Sequence, residues 1–294
     1  MLKKKLTKNQ RYWANRLIKQ RERLLDKSIE ECYAELQRVY EETARKLTQK
    51  LTSLYDEMEM LGSDNVLHSH KYSYQKYYQQ LAEIQEELRK LGIAENEILN
   101  KDFTKYYEAN HTLLGKQLGI ANHFDEEKAK QVISQIWATD GKSFSDRIWK
   151  DKAELISKLD AELTRIVSTG TGKNELIKGL AQSQMSKLVG NKNLIKKQLN
   201  QILSISFYNA RRITTTELSR LYNTSTMEKY KEAGVEEYQI LAERDSRTCE
   251  ECLKLDGKKF PITDLFDRPP FHPNCRCTIL GVINNAVYEQ REEK

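Results

Sequence analysis

Four of the five cysteines in this sequence lie close together near its C-terminal end. They form the pairs Cys249-x-x-Cys252 and Cys275-x-Cys277, and His272 precedes the second pair. A Cys-x-x-Cys turn presents two thiolates to one metal ion, because its backbone curls and its N–H groups support the sulfurs. On an extended strand, Cys275 and Cys277 project to the same face. The residue types therefore predict a metal site of four cysteines, or of three cysteines and His272.

The segment that carries this cluster has a physical reason to bind a metal. It is short, rich in proline and poor in large apolar side chains, so it buries little core. Small units of this kind commonly need a disulfide or a bound metal to stabilise them. The 22 residues between the two cysteine pairs are close to the spacing of zinc-ligand pairs. We expect a structural, non-catalytic zinc ion. Reduced cysteines that only pack, and a redox or disulfide role, remain alternatives; the lack of a thioredoxin-like βαβ pattern disfavours the latter.

The composition indicates long solvated helices rather than a compact α/β enzyme. Hydrophobic residues make up 38% of the chain and charged residues 31%, and all four prolines lie at or after Pro261. Because proline interrupts helices, the chain before this point is free to be helical. No apolar run approaches the ~20 residues that span a bilayer, and the N-terminus lacks the apolar core of a signal peptide. We expect a protein without membrane contact, made in the cytoplasm, where thiols stay reduced.

The N-terminal segment concentrates positive charge. From Lys3 to Arg23 there are nine lysines or arginines and one acidic residue, whereas the net charge of the whole chain is only +6. This segment is a candidate contact for nucleic acid or an acidic partner, through Lys3, Lys4, Lys5, Arg11 and Arg16. A solvated N-terminal helix is the alternative interpretation.

Hydrophobic periodicity predicts helices through most of the chain. Apolar residues recur every three or four positions from Leu25 to Met58, on a stripe that includes Cys32. Further helices are predicted over 72–91, 95–118, 125–138, 145–168 and 193–233, the last as one long helix or as two with a bend, closed by Gly234. Residues 62–65 have turn composition. The glycine-rich segment 170–174 lacks the spacing of a phosphate-binding P-loop and is interpreted as a turn.

After Gly234 the pattern changes to that of short strands. Tyr238, Ile240 and Ala242 alternate with polar residues, and segments 258–262 and 276–283 supply two more candidates. The predicted fold class is mainly α, with a long helical arm or bundle followed by a small, short-stranded α+β module that holds the Cys/His cluster. The predicted division is an N-terminal helical region at 1–125, a middle helical region at 126–200, the C-terminal module at 201–285 and a charged tail at 286–294.

Several short motifs accompany the metal cluster, at Arg212, Thr216, Glu217, Asp256, Gly257, Pro270, Asn274 and Arg276. Their order and spacing, over about residues 160 to 283, resemble those of the phage Mu F-like head morphogenesis family. The resemblance implies a minor head protein of a tailed phage, present in few copies at the portal vertex inside the procapsid. There it would assist head assembly, DNA packaging or ejection. The implied partners are the portal protein, with scaffold or major capsid protein and phage DNA as further candidates. The implied location is the capsid interior, and the host cytoplasm during assembly.

Two other function classes compete with this interpretation. Similar modules have been compared with ADP-ribosyltransferase folds, in which Glu217, with an arginine such as Arg212, would serve NAD chemistry. Glu217 lies in a helix-like stretch, however, whereas an NAD site would place it on a strand or loop, and an ordinary helix-pair or capping role is the simpler account. The second alternative is a zinc-stapled DNA-binding protein, which the modest charge of the module disfavours. We expect no enzymatic activity.

Overall fold

The computed structural model of the protein describes residues 22–61, 66–121, 123–169, 192–243, 245–263 and 268–282, together with Tyr12, Arg16 and Lys19. Within these residues the chain is mainly helical and ends in a small antiparallel sheet, which confirms the predicted fold class. The predicted turns at 62–65 and 170–174, the charged tail and most of the basic N-terminal candidates lie outside the described residues.

Long helices account for most of the described chain. They are α1 (Lys27–Leu61), which continues a π-helical turn at Glu22–Asp26, α2 (Val66–Leu118), α3 (Glu126–Ser134), α4 (Phe144–Thr169), α5 (Lys192–Glu232) and the short α6 (Glu250–Leu255). The long helix predicted over 193–233 is confirmed, and Gly234 follows it with a φ of 72° that an L side chain would strain to adopt. No helix among the described residues is both long and apolar enough to cross a membrane.

The prediction of separate helices over 72–91 and 95–118 was wrong, because α2 runs through Gly92 without a break. A Cβ atom at Gly92 would lie 3.0 Å from the Cγ atom of Lys152 and 3.0 Å from the ring of Trp149, both on α4. The glycine therefore permits α4 to pack closely against α2 rather than marking a helix end.

Packing divides the chain into two compact units, each built from separated stretches of sequence. The module-bearing unit comprises Met1–Tyr33, Leu99–Phe144 and Arg211–Lys294, and the helical unit comprises Ala34–Ile98 and Ser145–Ala210. Periodicity in the sequence reports which side chains are buried but not which helices pack together. The predicted domain division into consecutive segments stays a prediction.

The helical unit contains a layer of buried polar side chains from four helices. Lys152 Nζ on α4 lies 2.7 Å from Glu95 Oε2 on α2 and donates to Ser206 Oγ on α5 at 2.8 Å. Tyr40 OH on α1 donates to Glu95 Oε2 at 2.9 Å, and Asp151 accepts a hydrogen bond from Ser206 Oγ. Both Lys152 and Glu95 are 1% exposed. We refer to these five residues as the polar layer.

The module-bearing unit ends in a three-stranded sheet in the order β2-β1-β3. The strands are β1 (Glu237–Leu241), β2 (Lys259–Pro261) and β3 (Thr278–Val282), and both neighbouring pairs are antiparallel. The sheet packs against α5 so closely that a Cβ atom on Gly281 would lie 3.2 Å from the ring of Tyr230. The side-chain alternation predicted for β1 was wrong in one respect, because Gln239 is buried as well as its neighbours; its amide donates to the carbonyl of Gly257 at 3.0 Å.

The C-terminal half of α5 is the central element of the module-bearing unit. Its buried positions include many small polar residues, which are Thr214, Thr216, Ser219, Asn223, Thr224, Ser225 and Thr226. Several of their side chains donate to backbone carbonyls one turn earlier, as Ser225 does to Leu221 O at 2.9 Å and Thr216 to Arg212 O at 2.7 Å. These bonds satisfy the hydroxyl groups of Ser225 and Thr216 within the helix, which favours burial of the helix on most of its circumference.

Candidate metal centre

The first half of the candidate centre is built on the start of α6. Cys249 is the N-cap of this helix, and its Sγ accepts a hydrogen bond from the backbone N–H of Cys252 at 3.4 Å. A sulfur in this position replaces the oxygen of the usual N-cap residue and partners an otherwise unpaired helix N–H group. The helical turn thereby brings Cys249 and the buried Cys252 to the same place.

The second half is a turn that is anchored on α5. The backbone N–H of Cys275 donates to His272 O at 3.1 Å, and Asn274 adopts a φ of 60°, a conformation that asparagine tolerates better than most residues. The N–H of Asn274 donates to Thr216 Oγ1 at 3.0 Å, and Asn223 Nδ2 donates to Cys277 O at 3.2 Å. The polar side chains of α5 therefore hold the turn that carries the second cysteine pair.

All five predicted ligands come together in the structure. His272 Nε2 lies 3.1 Å from Cys252 Sγ and 3.3 Å from Cys249 Sγ, and Cys252 Sγ lies 3.8 Å from Cys275 Sγ. The ligand atoms form two overlapping trios, Cys249–Cys252–His272 and Cys252–Cys275–Cys277, and within each trio no two atoms are more than 4.8 Å apart. Cys252 belongs to both trios and lies at the centre of the cluster. These groups can hold a metal ion.

The tautomer of His272 suits a ligand. Its Nδ1 lies 2.8 Å from Pro273 O, and a carbonyl oxygen only accepts, so Nδ1 carries the hydrogen. In the neutral imidazole the lone pair is then on Nε2, the atom that faces the two sulfurs. Histidines that bind metals usually donate their other ring N–H to a carbonyl or carboxylate in this way.

Electrostatics divides the four clustered thiols into two kinds. The pKa of Cys275 is lowered to about 5, chiefly by a hydrogen bond from the Cys277 thiol, and that of Cys249 is lowered, chiefly by the N–H of Cys252. Burial raises the pKa of Cys252 to about 12. The pKa of Cys277 is strongly raised, because its proton is shared with Cys275 and because it is buried. The surroundings therefore favour the thiolate form at Cys275 and Cys249 more than at an ordinary cysteine, and they disfavour it at Cys252 and Cys277, where a cation would stabilise it.

The histidine responds to the same charges. Burial lowers the pKa of His272, but the hydrogen bond to Pro273 O and the neighbouring thiolates of Cys275 and Cys249 outweigh burial and raise it.

The donor set fits a soft, tetrahedral metal. Bonds of about 2.3 Å from one ion to tetrahedral sulfurs place those sulfurs about 3.8 Å apart, which is the separation of Cys252 and Cys275. Thiolates with an imidazole are ligands that zinc shares with other thiophilic ions. The arrangement leaves both sequence alternatives open, although the contacts of His272 with two sulfurs favour a set of three cysteines and His272.

Several motif residues outside the cluster hold its frame. Asp256 Oδ1 accepts from the N–H of Ala242, just after β1, at 3.0 Å. Gly257, with a φ of 81°, donates its N–H to Ile240 O at 2.8 Å in the turn that leads into β2. Pro270 is buried and follows Pro269 through a cis peptide bond. These residues position the second half of the module on the first.

The predicted Thr-Glu pair on α5 is buried in the structure. Glu217 accepts from Arg220 Nε at 2.7 Å and from Trp137 Nε1 at 2.9 Å, and it is 2% exposed. Arg220 in turn donates to two carbonyls at the end of α3. The exposed Arg212 contributes its carbonyl to Thr216. Sequence reasoning did not single out Arg220, although its i,i+3 spacing from Glu217 was a usable signal.

Of the basic N-terminal candidates, the structure describes Arg16. It is exposed, and its guanidinium donates to Tyr12 OH at 3.2 Å. Lys3, Lys4, Lys5 and Arg11 lie outside the described residues.

Residues 157–280 match a family model described as Phage Mu protein F like protein. The matched range begins in α4 and ends in β3, so it contains α5 and the whole Cys/His cluster. The chain carries a Mu F-like segment. This match confirms the resemblance that the motifs indicated over about residues 160 to 283. No curated protein and no solved structure matches the chain.

Proposed function

We propose that the protein is a minor head protein of a tailed bacteriophage, which acts in head morphogenesis from the portal vertex inside the procapsid. The observation that carries this proposal is the Mu F-like segment at residues 157–280. In the proposal the protein assists assembly, DNA packaging or ejection. Its direct partner is the portal protein, and scaffold or major capsid protein and phage DNA are further partners.

Co-expression with the portal protein encoded nearby tests the main partner. A tagged portal protein is expected to retain this protein through purification under assembly conditions, whereas an unrelated phage protein with the same tag is not. Failure of the pair to copurify or to co-sediment would contradict binding at the portal.

The location inside the capsid needs a separate test. Purified virions are expected to contain a few copies of the protein, which resist an added protease until the capsids are opened. A protein that is absent from virions, or that is cleaved on intact ones, would contradict an interior location.

We also propose that Cys249, Cys252, His272 and Cys275 hold one structural zinc ion. The contacts of His272 Nε2 with two sulfurs and the 3.8 Å separation of Cys252 and Cys275 support this set. When bound, the ion would join α6 to the turn before β3 and supply no chemistry of its own, since a four-ligand site leaves no open position. Cys277 would hydrogen-bond Cys275 at the edge of the site.

Metal analysis of protein purified under reducing conditions tests the zinc proposal. The wild type is expected to contain about one zinc ion per chain, and Cys249→Ser is expected to lose it together with the stability of the module. Cys32→Ser is the matched control, because Cys32 is a buried cysteine of α1 outside the cluster. Metal-free wild type would refute the site, and equal loss in Cys32→Ser would make the effect unspecific.

The absence of enzymatic activity is part of the proposal. The burial of Glu217 and its pairing with Arg220 and Trp137 support a structural role for this carboxylate. Incubation with NAD at high protein concentration is expected to give no hydrolysis above buffer. Turnover that Glu217→Gln abolishes would overturn this part of the proposal.

A further inference from the structure

We propose that Arg276 and Asp245 form a clasp that holds the two halves of the metal site together before the ion binds, and that this clasp raises the metal affinity. The first half is the start of α6 with Cys249 and Cys252, preceded by the loop that contains Asp245, and the second is the turn that carries Cys275 and Cys277. The inference rests on the metal site proposed above and assigns a positioning role to two residues that do not themselves touch the ion.

Arg276 connects the two halves through several hydrogen bonds at once. Its Nη1 donates to Asp245 Oδ2 and to Glu243 Oε2, both at 2.7 Å, and its Nη2 donates to Asp245 Oδ1. A longer bond of 3.4 Å joins Nη2 to Thr248 Oγ1. A guanidinium that meets a carboxylate with two nitrogens fixes direction as well as distance, which a lysine cannot do.

Asp245 in turn shapes the loop that ends at Cys249. Its Oδ1 accepts from the N–H of Arg247 at 2.9 Å, the pattern of an Asx-turn, and its carbonyl accepts from the N–H of Thr248 at 3.2 Å. Thr248 directly precedes Cys249 and donates its hydroxyl to Glu243 O. The position of the Asp245 carboxylate therefore determines, through these hydrogen bonds, the conformation of the loop that leads to Cys249.

The extended backbone of residues 275–277 places the side chain of Arg276 on the side opposite to those of Cys275 and Cys277. The segment 275–277 lies just before β3, and in extended chain successive side chains point to opposite sides. Cys275 and Cys277 are accordingly buried, while the side chain of Arg276 is 19% exposed. Cys275 can face the metal, with Cys277 beside it, only if this extended segment keeps one orientation, and the clasp on the opposite side fixes that orientation.

The clasp matters because the chain loses conformational freedom when the two halves are brought together. An ion that finds the halves already assembled does not have to compensate for this ordering, so its apparent affinity is higher. The pairing is partly exposed and acts through geometry more than through its own Coulomb energy.

Zinc affinity, measured by competition with a chromophoric chelator, tests the clasp on the full chain. Arg276→Gln and Asp245→Asn are each expected to weaken zinc binding by about 10- to 100-fold, as loss of outer-shell partners does elsewhere. Arg276→Lys is expected to fall between these variants and the wild type, because it keeps the charge and loses the two-pronged contact.

Arg247→Gln is the matched control. Arg247 also pairs with Asp245, at 3.3 Å, but it lies in the same loop and its side chain is 75% exposed. Its removal is expected to change the zinc affinity less than about twofold, because surface pairs contribute little. The charge-transfer spectrum of bound Co²⁺ gives a second measurement, since a change in ligand geometry alters it and a general loss of stability does not.

The possible outcomes separate the clasp from the metal site. Wild-type affinity in both Arg276→Gln and Asp245→Asn would overturn the clasp and leave the site intact. A wild type that binds neither Zn²⁺ nor Co²⁺ would overturn both proposals. If Arg276→Gln loses its helical circular dichroism, Asp245→Asn decides, because the amide has the shape of the carboxylate and preserves the acceptor of the Asx-turn.

Discussion

Replacement of Lys152 by methionine provides a sharp test of how the helical unit is stabilised. The ammonium group of Lys152 is buried among Glu95 Oε2 at 2.7 Å, Asp151 Oδ2 at 2.9 Å, Ser206 Oγ at 2.8 Å and Tyr40 OH at 2.5 Å. Methionine has a similar length and good helix propensity, so the variant removes the charge and the donors with little change in volume.

The expected loss of folding free energy is large because the acidic partners of Lys152 remain buried. With Lys152 gone, two carboxylates remain in the core without a cation, and removal of one partner of a buried ion pair costs roughly 3–5 kcal/mol. At about 2–4 °C per kcal/mol for a unit of this size, the melting temperature should fall by roughly 6–20 °C. Glu95 limits the loss by taking up a proton, since burial already raises its pKa, against the opposing effect of Lys152.

Thermal and urea unfolding followed by circular dichroism measure the effect. Lys150→Met is the matched control: Lys150 is on the same helix, is well exposed and pairs weakly with Glu154 at 3.7 Å. Its loss is expected to change the free energy of unfolding by less than about 0.5 kcal/mol. Combining Lys152→Met with Glu95→Gln should recover part of the stability, because the second change removes one orphaned charge.

The pH dependence of the destabilisation by Lys152→Met gives a second test of the buried charges. A carboxyl group whose folded-state pKa lies above its unfolded value of 4.5 stabilises the fold below that value and loses this contribution as the pH rises through the folded pKa. The destabilisation by Lys152→Met should therefore be smaller near pH 4.5 than at pH 7. A loss below about 1 kcal/mol, or one that Lys150→Met equals, would refute the assignment of the polar layer as a buried charge network.

Three further predictions concern the module-bearing unit. Zinc binding at pH 7 should release at least one proton, because the pKa of Cys252 is about 12 while that of Cys275 is about 5. The zinc affinity should then increase about tenfold per pH unit for each proton released. A zinc affinity that does not change from pH 6 to 8 would contradict this prediction. Glu217→Gln should lower the free energy of unfolding by roughly 1.5–3 kcal/mol through loss of a charged hydrogen bond, and urea unfolding that matches the wild type would count against this role. Gly281→Ala should cost roughly 1–3 kcal/mol, since its Cβ would lie 3.2 Å from the Tyr230 ring; an unchanged melting temperature would show that the ring moves aside.

The periodic part of the fold was accessible from the sequence. The apolar stripe from Leu25 to Met58 predicted α1, because a helix with one buried face leaves a clear period, and the helical stretch that is closed by Gly234 predicted α5. Gly92 lies between the two helices predicted over 72–91 and 95–118, but a glycine inside a helical pattern does not distinguish a helix end from a close contact between helices. That distinction depends on Trp149 and Lys152, which lie more than fifty residues away in sequence.

The polar layer could not be predicted from the sequence for a related reason. Glu95, Lys152 and Ser206 each look like residues of a solvated helix face when considered alone. Their burial follows from the packing of four helices from distant parts of the chain, which no local period encodes. The same limit applies to α5, where threonine, serine and asparagine occupy buried positions that hydropathy assigns to solvent.

The metal centre was predictable because ligand chemistry is local and specific in its residue types. Cysteine pairs and a histidine next to prolines indicate a metal site even when the fold is unknown. All five predicted residues come together in the structure. The neighbouring motif positions carried no such signal. Thr216 accepts the N–H of Asn274, Asp256 anchors the turn after α6, and Arg276 spans the two halves of the cluster. Their chemistry is ordinary hydrogen bonding, so their roles depend on distance. Thr216, Asp256 and Arg276 thus make their hydrogen bonds in the segments next to the cysteines. A substitution among these three is expected to alter metal affinity while every ligand remains in place.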